Sequence, residues 1–240
     1  MSTLSKSTLA QIVTNDYRTA SVFEKYQLDY CCRGKRSLEK ACEDSGIEVE
    51  KLLAELQSVS QVTNEACELK SWQQGHKILP GRLADHIEQT HHQYVKKEIP
   101  IISGFLQKIA IKHGERHPEL ISVQNHFLNL SSELLKHLAK EETILFPAIR
   151  EMENKQKNGQ EPSAEEKKWV TGPIRLMEME HEDAGDEMEM IRTLTNDYTP
   201  PDDACTSYKI AFKSLHDFEK DLHQHVHLEN NVLFPALLSE

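Results

Sequence analysis

The chain has 240 residues, and its 28 Lys and Arg against 39 Asp and Glu give a formal net charge of -11. An acidic chain without basic runs argues against nucleic-acid binding. No stretch approaches the roughly 18 uninterrupted apolar residues of a membrane span, and the first residues lack the apolar core of a signal peptide. We therefore expect a cytoplasmic protein that binds neither nucleic acid nor membrane.

The N-terminal part predicts a small helical domain over residues 1–62. Apolar residues recur three and four apart, Asp16 and Ser37 are suitable N-caps, and Gly34 and Gly46 are suitable breaks. A polar stretch over 63–77 is expected to be a linker. The predicted helices of this domain span about 5–14, 17–27, 37–45 and 48–59.

Residues 78–240 predict a second domain made of long helices. Strand patterns are scarce throughout, so the fold class is all-α, and polar or Pro- and Gly-containing connections separate four long periodic segments. Four such helices favour an up-down-up-down bundle. Their predicted spans are about 79–112, 117–152, 172–196 and 203–238.

An internal repeat lies in the second and fourth of these segments. HLAKEETILFPAI at 137–149 and HVHLENNVLFPAL at 225–237 share six identities in thirteen positions. Each copy contains His-x-x-x-Glu, which places the His and Glu side chains one turn apart on the same helix face. Both side chains of a pair can therefore reach one metal ion or a bridged pair of ions.

Both pairs fall on the apolar line of their helix. A carboxylate buried on such a line is costly unless a partner compensates its charge, and metal cations compensate it best. The first and third helices carry His92 and His181 on their own apolar lines. The predicted ligand set is therefore His92, His137, Glu141, His181, His225 and Glu229.

The chemistry of this set favours iron or manganese. Four imidazoles and two carboxylates, without thiolates, form a nitrogen and oxygen site that is too large for one tetrahedral zinc. Two metals bridged by both carboxylates would keep room for a bridging oxygen and for an external ligand such as O₂ or NO.

A rival set uses the Glu-x-x-His spacing of ferritin-like di-iron sites. Glu88 with His91 and Glu178 with His181 would form it together with Glu141 and Glu229. It ranks second because it leaves His137 and His225 buried without a role and places His91 off the apolar line. His91 is thus expected to be peripheral, and the i, i+4 pair His223 and His227, on the helix face opposite His225, is expected to be a decoy rather than a metal site. These three and the remaining histidines are expected to be mostly solvated: His76, His86, His113, His117, His126 and His216.

The cysteines do not form a metal-site or disulfide pattern. No CxxC spacing occurs, so reduced thiols are expected. The vicinal pair Cys31 and Cys32 is read either as packed thiols or as a redox or iron-handling pair, whose thiol pKa the nearby positive charge would lower. That charge comes from Arg33, Lys35 and Arg36.

These motifs together resemble one family, the iron-sulfur cluster repair di-iron proteins of the ScdA/YtfE type. The resemblance rests on the DYCC run ending at Cys32, His92, the two His-x-x-x-Glu blocks that end in LFP, and the run from Met177 to Gly185. That family usually reads DYCCGG, whereas Arg33 stands here in place of the first Gly.

The resemblance implies a haemerythrin-like bundle that holds two non-haem iron ions with an oxo or hydroxo bridge, bound by the six residues above. It implies repair of iron-sulfur clusters damaged by oxidative or nitrosative stress, by donation of iron to damaged client proteins. The alternatives are an O₂- or NO-binding carrier or sensor and an NO-reducing enzyme. The small N-terminal domain is expected to pack against the bundle or against a partner subunit. In the second case the protein would be a homodimer.

Overall fold

The computed structural model describes residues 3–60, 73–74 and 77–238. The chain separates into two compact units, Met1–Arg82 together with His223–Glu240, and Leu83–Leu222. The predicted all-α class is confirmed: the described residues form helices and their connections, with one antiparallel pair of two-residue strands, β1 (Gln73–Gln74) and β2 (Lys77–Ile78), and an isolated bridge between Thr8 and Ser37. Most of the predicted linker over 63–77, with His76 and Cys67, lies outside the described residues.

The N-terminal helices begin and end where local capping chemistry places them. The Thr8 hydroxyl accepts from the Gln11 backbone N–H, and the Gln11 side chain accepts from the Thr8 N–H. Ser37 caps the third helix, which ends at Gly46 with a φ of 66°. The helices are α1 (Leu9–Asn15), α2 (Ala20–Lys25), α3 (Leu38–Ser45) and α4 (Val49–Ser60), with 3₁₀ turns at Thr3–Lys6 and Tyr17–Thr19.

This N-terminal part has an apolar core of its own. Leu9, Phe23, Leu38 and Leu52 are completely buried, and Tyr30 is 1% exposed. They belong to one continuous cluster of buried side chains drawn from all four helices. Burial of this kind contributes about 1.5–3 kcal/mol for each large apolar side chain, which offsets the entropy of ordering a short chain.

The Leu83–Leu222 unit contains the predicted four-helix bundle. Its long helices are α6 (Gln93–His113), α7 (Glu119–Lys140), α10 (Ile174–Leu194) and the 206–222 part of α11 (Thr206–Leu228). The Phe218 ring packs edge-on against Phe127 at 5.5 Å and lies 6.4 Å from the Tyr94 ring, so α11 contacts both α6 and α7. Shorter helices complete the chain: α5 (Pro80–Ile87), α8 (Phe146–Lys157), α9 (Ala164–Thr171) and α12 (Phe234–Leu238).

One helix falls where the sequence predicted only a charged connection. α9 lies largely within the 154–168 segment, and a capping box starts it, because the Ser163 hydroxyl accepts from the Glu166 N–H while the Glu166 carboxylate accepts from the Ser163 N–H. A Lys155 ion pair also holds Glu166. The Ser-x-x-Glu spacing was the overlooked signal.

Three of the long helical segments contain a π-helical turn. These turns span Glu88–His92, Glu141–Leu145 and Glu229–Leu233. Each inserts one extra residue per turn and changes which face the following side chains present, and such turns are frequent at functional sites. None of the described helices combines the length and the apolar character needed to cross a bilayer.

Candidate metal centre

Four of the six predicted ligands lie within the Leu83–Leu222 unit, and all four are buried. Glu141 and His92 are 0% exposed, His181 is 2% and His137 is 3% exposed. They come from three different segments: the π turn before α6, the α7 helix with its π turn, and α10. The bundle therefore places three imidazoles and one carboxylate away from water.

Their ligand atoms converge. The Glu141 Oε2 atom lies 3.4 Å from His92 Nε2 and 3.3 Å from His137 Nε2. His137 Nε2 in turn lies 2.9 Å from His181 Nε2. Ligand atoms of His137, Glu141 and His181 all fall within 4.8 Å of one another.

These separations fit a metal ion. Metal–imidazole bonds of about 2.0–2.1 Å at right angles to each other place two ring nitrogens about 3 Å apart. The His137 and His181 Nε2 atoms have this spacing. A buried carboxylate oxygen beside two of the imidazoles supplies the negative charge that a cation requires.

The Nδ1 atoms of two of these histidines face carboxylates. His92 Nδ1 lies 2.8 Å from Glu142 Oε1, and His137 Nδ1 lies 2.8 Å from Glu180 Oε2. An Nδ1–H that donates to a carboxylate leaves the Nε2 lone pair for a metal. Both histidines are thereby held in the tautomer that a metal ligand needs.

Each supporting carboxylate also binds a lysine. Lys96 Nζ lies 2.6 Å from both Glu142 oxygens, and Lys140 binds Glu180. Burial opposes ionisation of both carboxyls, but the hydrogen bonds from lysine and histidine outweigh it and hold their pKa below the usual value. Sequence reasoning did not find Glu142 and Glu180, although Glu142 directly follows a predicted ligand.

The remaining two predicted ligands lie in the other unit, on the 223–238 segment. His225 and Glu229 are both 0% exposed, and His225 Nε2 is 3.1 Å from Glu229 Oε1. In both copies of the repeat the His is in the last turn of an α-helix, and the Glu begins a π turn. The sequence repeat is therefore also a structural repeat of one buried His–Glu pair.

His91 differs from its prediction. It is 3% exposed rather than peripheral, and its Nδ1 lies 2.9 Å from Asp221 Oδ1 on α11. Glu88, its partner in the rival ferritin-like set, forms an ion pair with Arg150. Among the described residues, no cluster with metal-ligand spacing contains Glu88, His91 or Glu178.

The prediction that the other histidines are mostly solvated is also wrong in part. His227 is 2% exposed, and burial lowers its pKa to about 4. Several half-buried histidines contact carboxylates: His117 lies near Glu119 and Asp203, His126 near Glu187, and His223 near Glu24.

The vicinal cysteines form a turn around Asp29. Asp29 Oδ1 accepts from the backbone N–H of Cys31 and of Cys32, both at 2.9 Å, and from the Cys31 thiol at 3.1 Å. Its other oxygen accepts from the Arg33 N–H at 3.1 Å. The two Sγ atoms are 3.8 Å apart and are not joined in a disulfide. Ligand atoms of Asp29, Cys31 and Cys32 lie within 4.8 Å of one another.

The predicted lowering of the thiol pKa is wrong for Cys31. The hydrogen bond with Cys32 and burial of the side chain, which is 4% exposed, raise the pKa of the Cys31 thiol well above its ordinary value. Arg33 is exposed, and Arg36 binds Asp44. The predicted positive charge thus remains at the surface, while desolvation acts on the sulfur.

Arg33 replaces a glycine of the related motif without backbone strain. Among the described residues, positive φ outside glycine occurs at Gln27 and at 196–198, not at position 33. The glycine that the turn requires is Gly34, because a Cβ there would lie 2.1 Å from the Tyr30 carbonyl oxygen.

The cysteine turn contacts the segment that carries the second His–Glu pair, within the same unit. Asn231 Nδ2 donates to the Cys31 carbonyl at 3.2 Å. His227 donates to the Tyr30 backbone, and the two rings pack edge-on at 5.6 Å. Tyr30 and His223 both bind the Glu24 carboxylate. The backbone of the cysteine turn therefore lies against the π turn that starts at Glu229.

A cavity of about 440 Å³ lies between α7 and α10, and its lining includes His137 and His181. Sequence reasoning did not anticipate it, because it depends on how two helices pack. Its acidic lining residues are Glu133, Glu180, Asp183, Asp186 and Glu187.

Comparison with known proteins shows which families and which individual proteins the chain is similar to. Residues 83–237 match the family described as "Hemerythrin HHE cation binding domain", and residues 5–60 match ScdA_N, described as "Domain of Unknown function (DUF542)". The chain is 35% identical over 235 residues to a Haemophilus influenzae protein named "Probable iron-sulfur cluster repair protein", covering 97% of this chain and 96% of that protein. It is 32% identical over 231 residues to the "Iron-sulfur cluster repair protein YtfE" of Enterobacter sp. (strain 638), covering 96% of each.

Proposed function

The chain belongs to the iron-sulfur cluster repair family of proteins with a hemerythrin-type cation-binding domain, and from this premise we propose that it repairs damaged iron-sulfur clusters by donating iron. The observation that carries the proposal is the buried convergence of His92, His137, Glu141 and His181, with carboxylates behind two of the imidazoles. Repair would follow oxidative or nitrosative damage to client proteins.

We propose that His225 and Glu229 complete a site for two iron ions. Three observations support this: their complete burial, their structural equivalence to His137 and Glu141, and the span of the family match from 83 to 237. Two fully buried carboxylates require cationic compensation, and six nitrogen and oxygen donors exceed the needs of one ion. When bound, the iron pair supplies Lewis acidity and redox chemistry.

The protein's own residues would hold and release this iron. Imidazole and carboxylate donors without thiolates suit iron. Glu142 and Glu180 orient His92 and His137 and increase their basicity as ligands. A site with only two carboxylates and four neutral imidazoles neutralises less of the iron charge than a carboxylate-rich site, which favours donation over permanent storage.

We further propose that Cys31 and Cys32 handle iron or electrons during transfer. Their support is the clustering of both thiols with Asp29 and the contact of their turn with Asn231, two residues after Glu229. Because its pKa is raised, Cys31 is a thiol at rest and would become a strong ligand only on deprotonation.

The test combines metal analysis with an assay of repair. Wild type should bind about two iron per chain, and Glu141→Ala and Glu229→Ala should each lose iron, whereas Glu189→Ala, an exposed glutamate on α10, should keep it. Iron-loaded wild type should then restore a cluster damaged by nitric oxide in an acceptor protein. If an equal amount of free ferrous iron restored the cluster and the loaded protein did not, iron donation would be wrong.

A second candidate function is binding of a small gas such as O₂ or NO for transport, sensing or reduction. The cavity beside His137 and His181 favours it, because it gives a small molecule room next to the candidate ligands. Replacing Cys31 and Cys32 with serine distinguishes the two functions. Loss of repair with unchanged gas binding supports repair, and unchanged repair contradicts a role for the thiols.

A further inference from the structure

Cys205 and His113 form a thiol–imidazole pair that the candidate metal centre does not use. His113 Nε2 lies 3.2 Å from Cys205 Sγ, and both residues belong to the Leu83–Leu222 unit. His113 is the last residue of α6, whereas His92 immediately precedes that helix. At 1.5 Å per residue these two histidines are about 30 Å apart, so the thiol pair is remote from the ligands.

The start of α11 places further hydrogen-bond donors on the sulfur. Cys205 directly precedes α11, and the backbone N–H groups of Ser207 and Tyr208 both donate to its Sγ. The first N–H groups of a helix have no intrahelical acceptor and carry partial positive charge. A sulfur that accepts these bonds is held as a thiolate more readily than one in water.

The charges around the pair do not cancel this effect. The hydrogen bond from Tyr208, the hydrogen bond from Ser207 and the charge of Lys112 lower the pKa of Cys205 despite partial burial. Two carboxylates near Tyr208 have cationic or imidazole partners: His117 contacts Asp203 and Glu119, and Arg116 also binds Asp203. The groups that face the pair are Lys112 and His113 of α6, Arg116 and His117 of the turn, Glu119 of α7, Asp203, and Tyr208 of α11.

From this geometry we propose that Cys205, activated by His113, is a modification site that reacts with low-molecular-weight disulfides. The Cys205 thiolate attacks one sulfur of the disulfide RS–SR, so that a Cys205–SR bond forms and the RS–SR bond breaks. His113 accepts the Cys205 proton during the attack, and the leaving thiolate takes up that proton. Cys205 is oxidised and one RSH is released, so no further oxidant is required.

Within its own unit, Cys205 can form only a mixed disulfide. Cys205 is the single cysteine between positions 83 and 222, so its own unit offers no resolving thiol. Its side chain is half-buried, which leaves the sulfur open to a small reagent.

The experiment follows Cys205 in the full, iron-loaded chain with oxidised glutathione as the probe. The tryptic peptide 193–209 contains Cys205 as its single cysteine, so mass spectrometry measures its modification separately from Cys31 and Cys32. The rate is measured between pH 5 and 10 for the folded chain and for the same chain unfolded in urea. Because a lower pKa gives more thiolate but a weaker nucleophile, each tenfold gain in thiolate raises the rate only about threefold, and the folded chain should react faster at pH 7 than the unfolded chain.

Two variants test the role of the imidazole. His113→Gln should raise the midpoint of the pH–rate profile, although the Ser207 and Tyr208 N–H groups should still hold it below about 8.5, the value of a free thiol. His126→Gln, which replaces a half-buried histidine bound to Glu187, should leave the midpoint unchanged. A folded-state midpoint equal to or above that of the unfolded chain would overturn the proposal without any variant. An unchanged midpoint in a folded His113→Gln protein would overturn it as well.

Discussion

His137 Nδ1 on α7 lies 2.8 Å from Glu180 Oε2 on α10, and the two residues are 43 positions apart in the sequence. This contact turns the Nε2 atom of His137 towards Glu141 and His181. Glu142 holds His92 in the same way. Two carboxylates outside the candidate ligand set thus decide how two candidate ligands are presented.

Glu180→Gln should weaken iron binding without abolishing it. The amide oxygen still accepts from Nδ1–H but carries no charge, so the imidazole becomes a poorer ligand, and loss of such a partner typically costs 10–100-fold in affinity. Competition with a chromophoric chelator measures the change. Glu189→Gln, on the exposed side of the same helix, should behave as wild type. If the two variants bound iron with equal affinity, Glu180 would have no role in the metal site.

Iron should stabilise the folded chain. A ligand present at 100 times its dissociation constant adds about 2.7 kcal/mol to the free energy of unfolding. Thermal melts of the wild type with ferrous iron and with a chelator should therefore differ by several degrees. Glu141→Gln removes a carboxylate that is 0% exposed, and its melting temperature should no longer respond to iron. A retained iron response in this variant would contradict the ligand assignment.

Gly34→Ala and Gly104→Ala should change stability in opposite directions. A Cβ at Gly34 would lie 2.1 Å from the Tyr30 carbonyl oxygen, so the backbone of the cysteine turn must move, at a cost of about 1–3 kcal/mol. A Cβ at Gly104, inside α6, meets no atom within 4 Å. Alanine there should stabilise the helix by about 0.5–1 kcal/mol. Urea denaturation measures both free energies of unfolding.

Asp29→Ala should loosen the cysteine turn. It removes the acceptor of three backbone N–H groups and of the Cys31 thiol, which predicts a loss of about 1–3 kcal/mol. Cys31 should then react faster with iodoacetamide, as measured by mass spectrometry. Asp44→Ala, at an exposed carboxylate paired with Arg36 and Lys40, is the matched control. In this variant the reaction of Cys31 with iodoacetamide should remain slow.

Alkaline pH should destabilise the N-terminal part of the chain. Hydrogen bonding to Cys32 and burial raise the pKa of Cys31, so the folded state retains this proton when the unfolded state, with a thiol pKa of about 8.5, has released it. The unfolded state therefore gains relative stability as pH rises above about 8.5. Denaturation, followed by the spectroscopic signals of Tyr and Cys, gives the free energy of unfolding at pH 7 and at pH 10. The value at pH 10 should be the lower one. In Cys31→Ser the pH-dependent loss should be smaller.

Local features of the chain were accessible from sequence. The spacing of His137 and Glu141, repeated at His225 and Glu229, follows from helical geometry alone, and their position on apolar lines predicts burial. The caps at Ser37 and Gly46 likewise depend on neighbouring residues. The helical class, the four long segments and the candidate ligands therefore required no knowledge of the packing.

Only the tertiary structure decided the rest, because it depends on residues far apart in the chain. The partners of His91 and His137 lie 130 and 43 positions away, and no periodicity reveals them. The thiol of Cys31 is surrounded by positive charge in the sequence but by burial and hydrogen bonds in the fold, which reverses the expected pKa shift. An acidic, histidine-rich sequence thus indicates which donors exist, and packing determines which of them are desolvated, oriented and available to a metal.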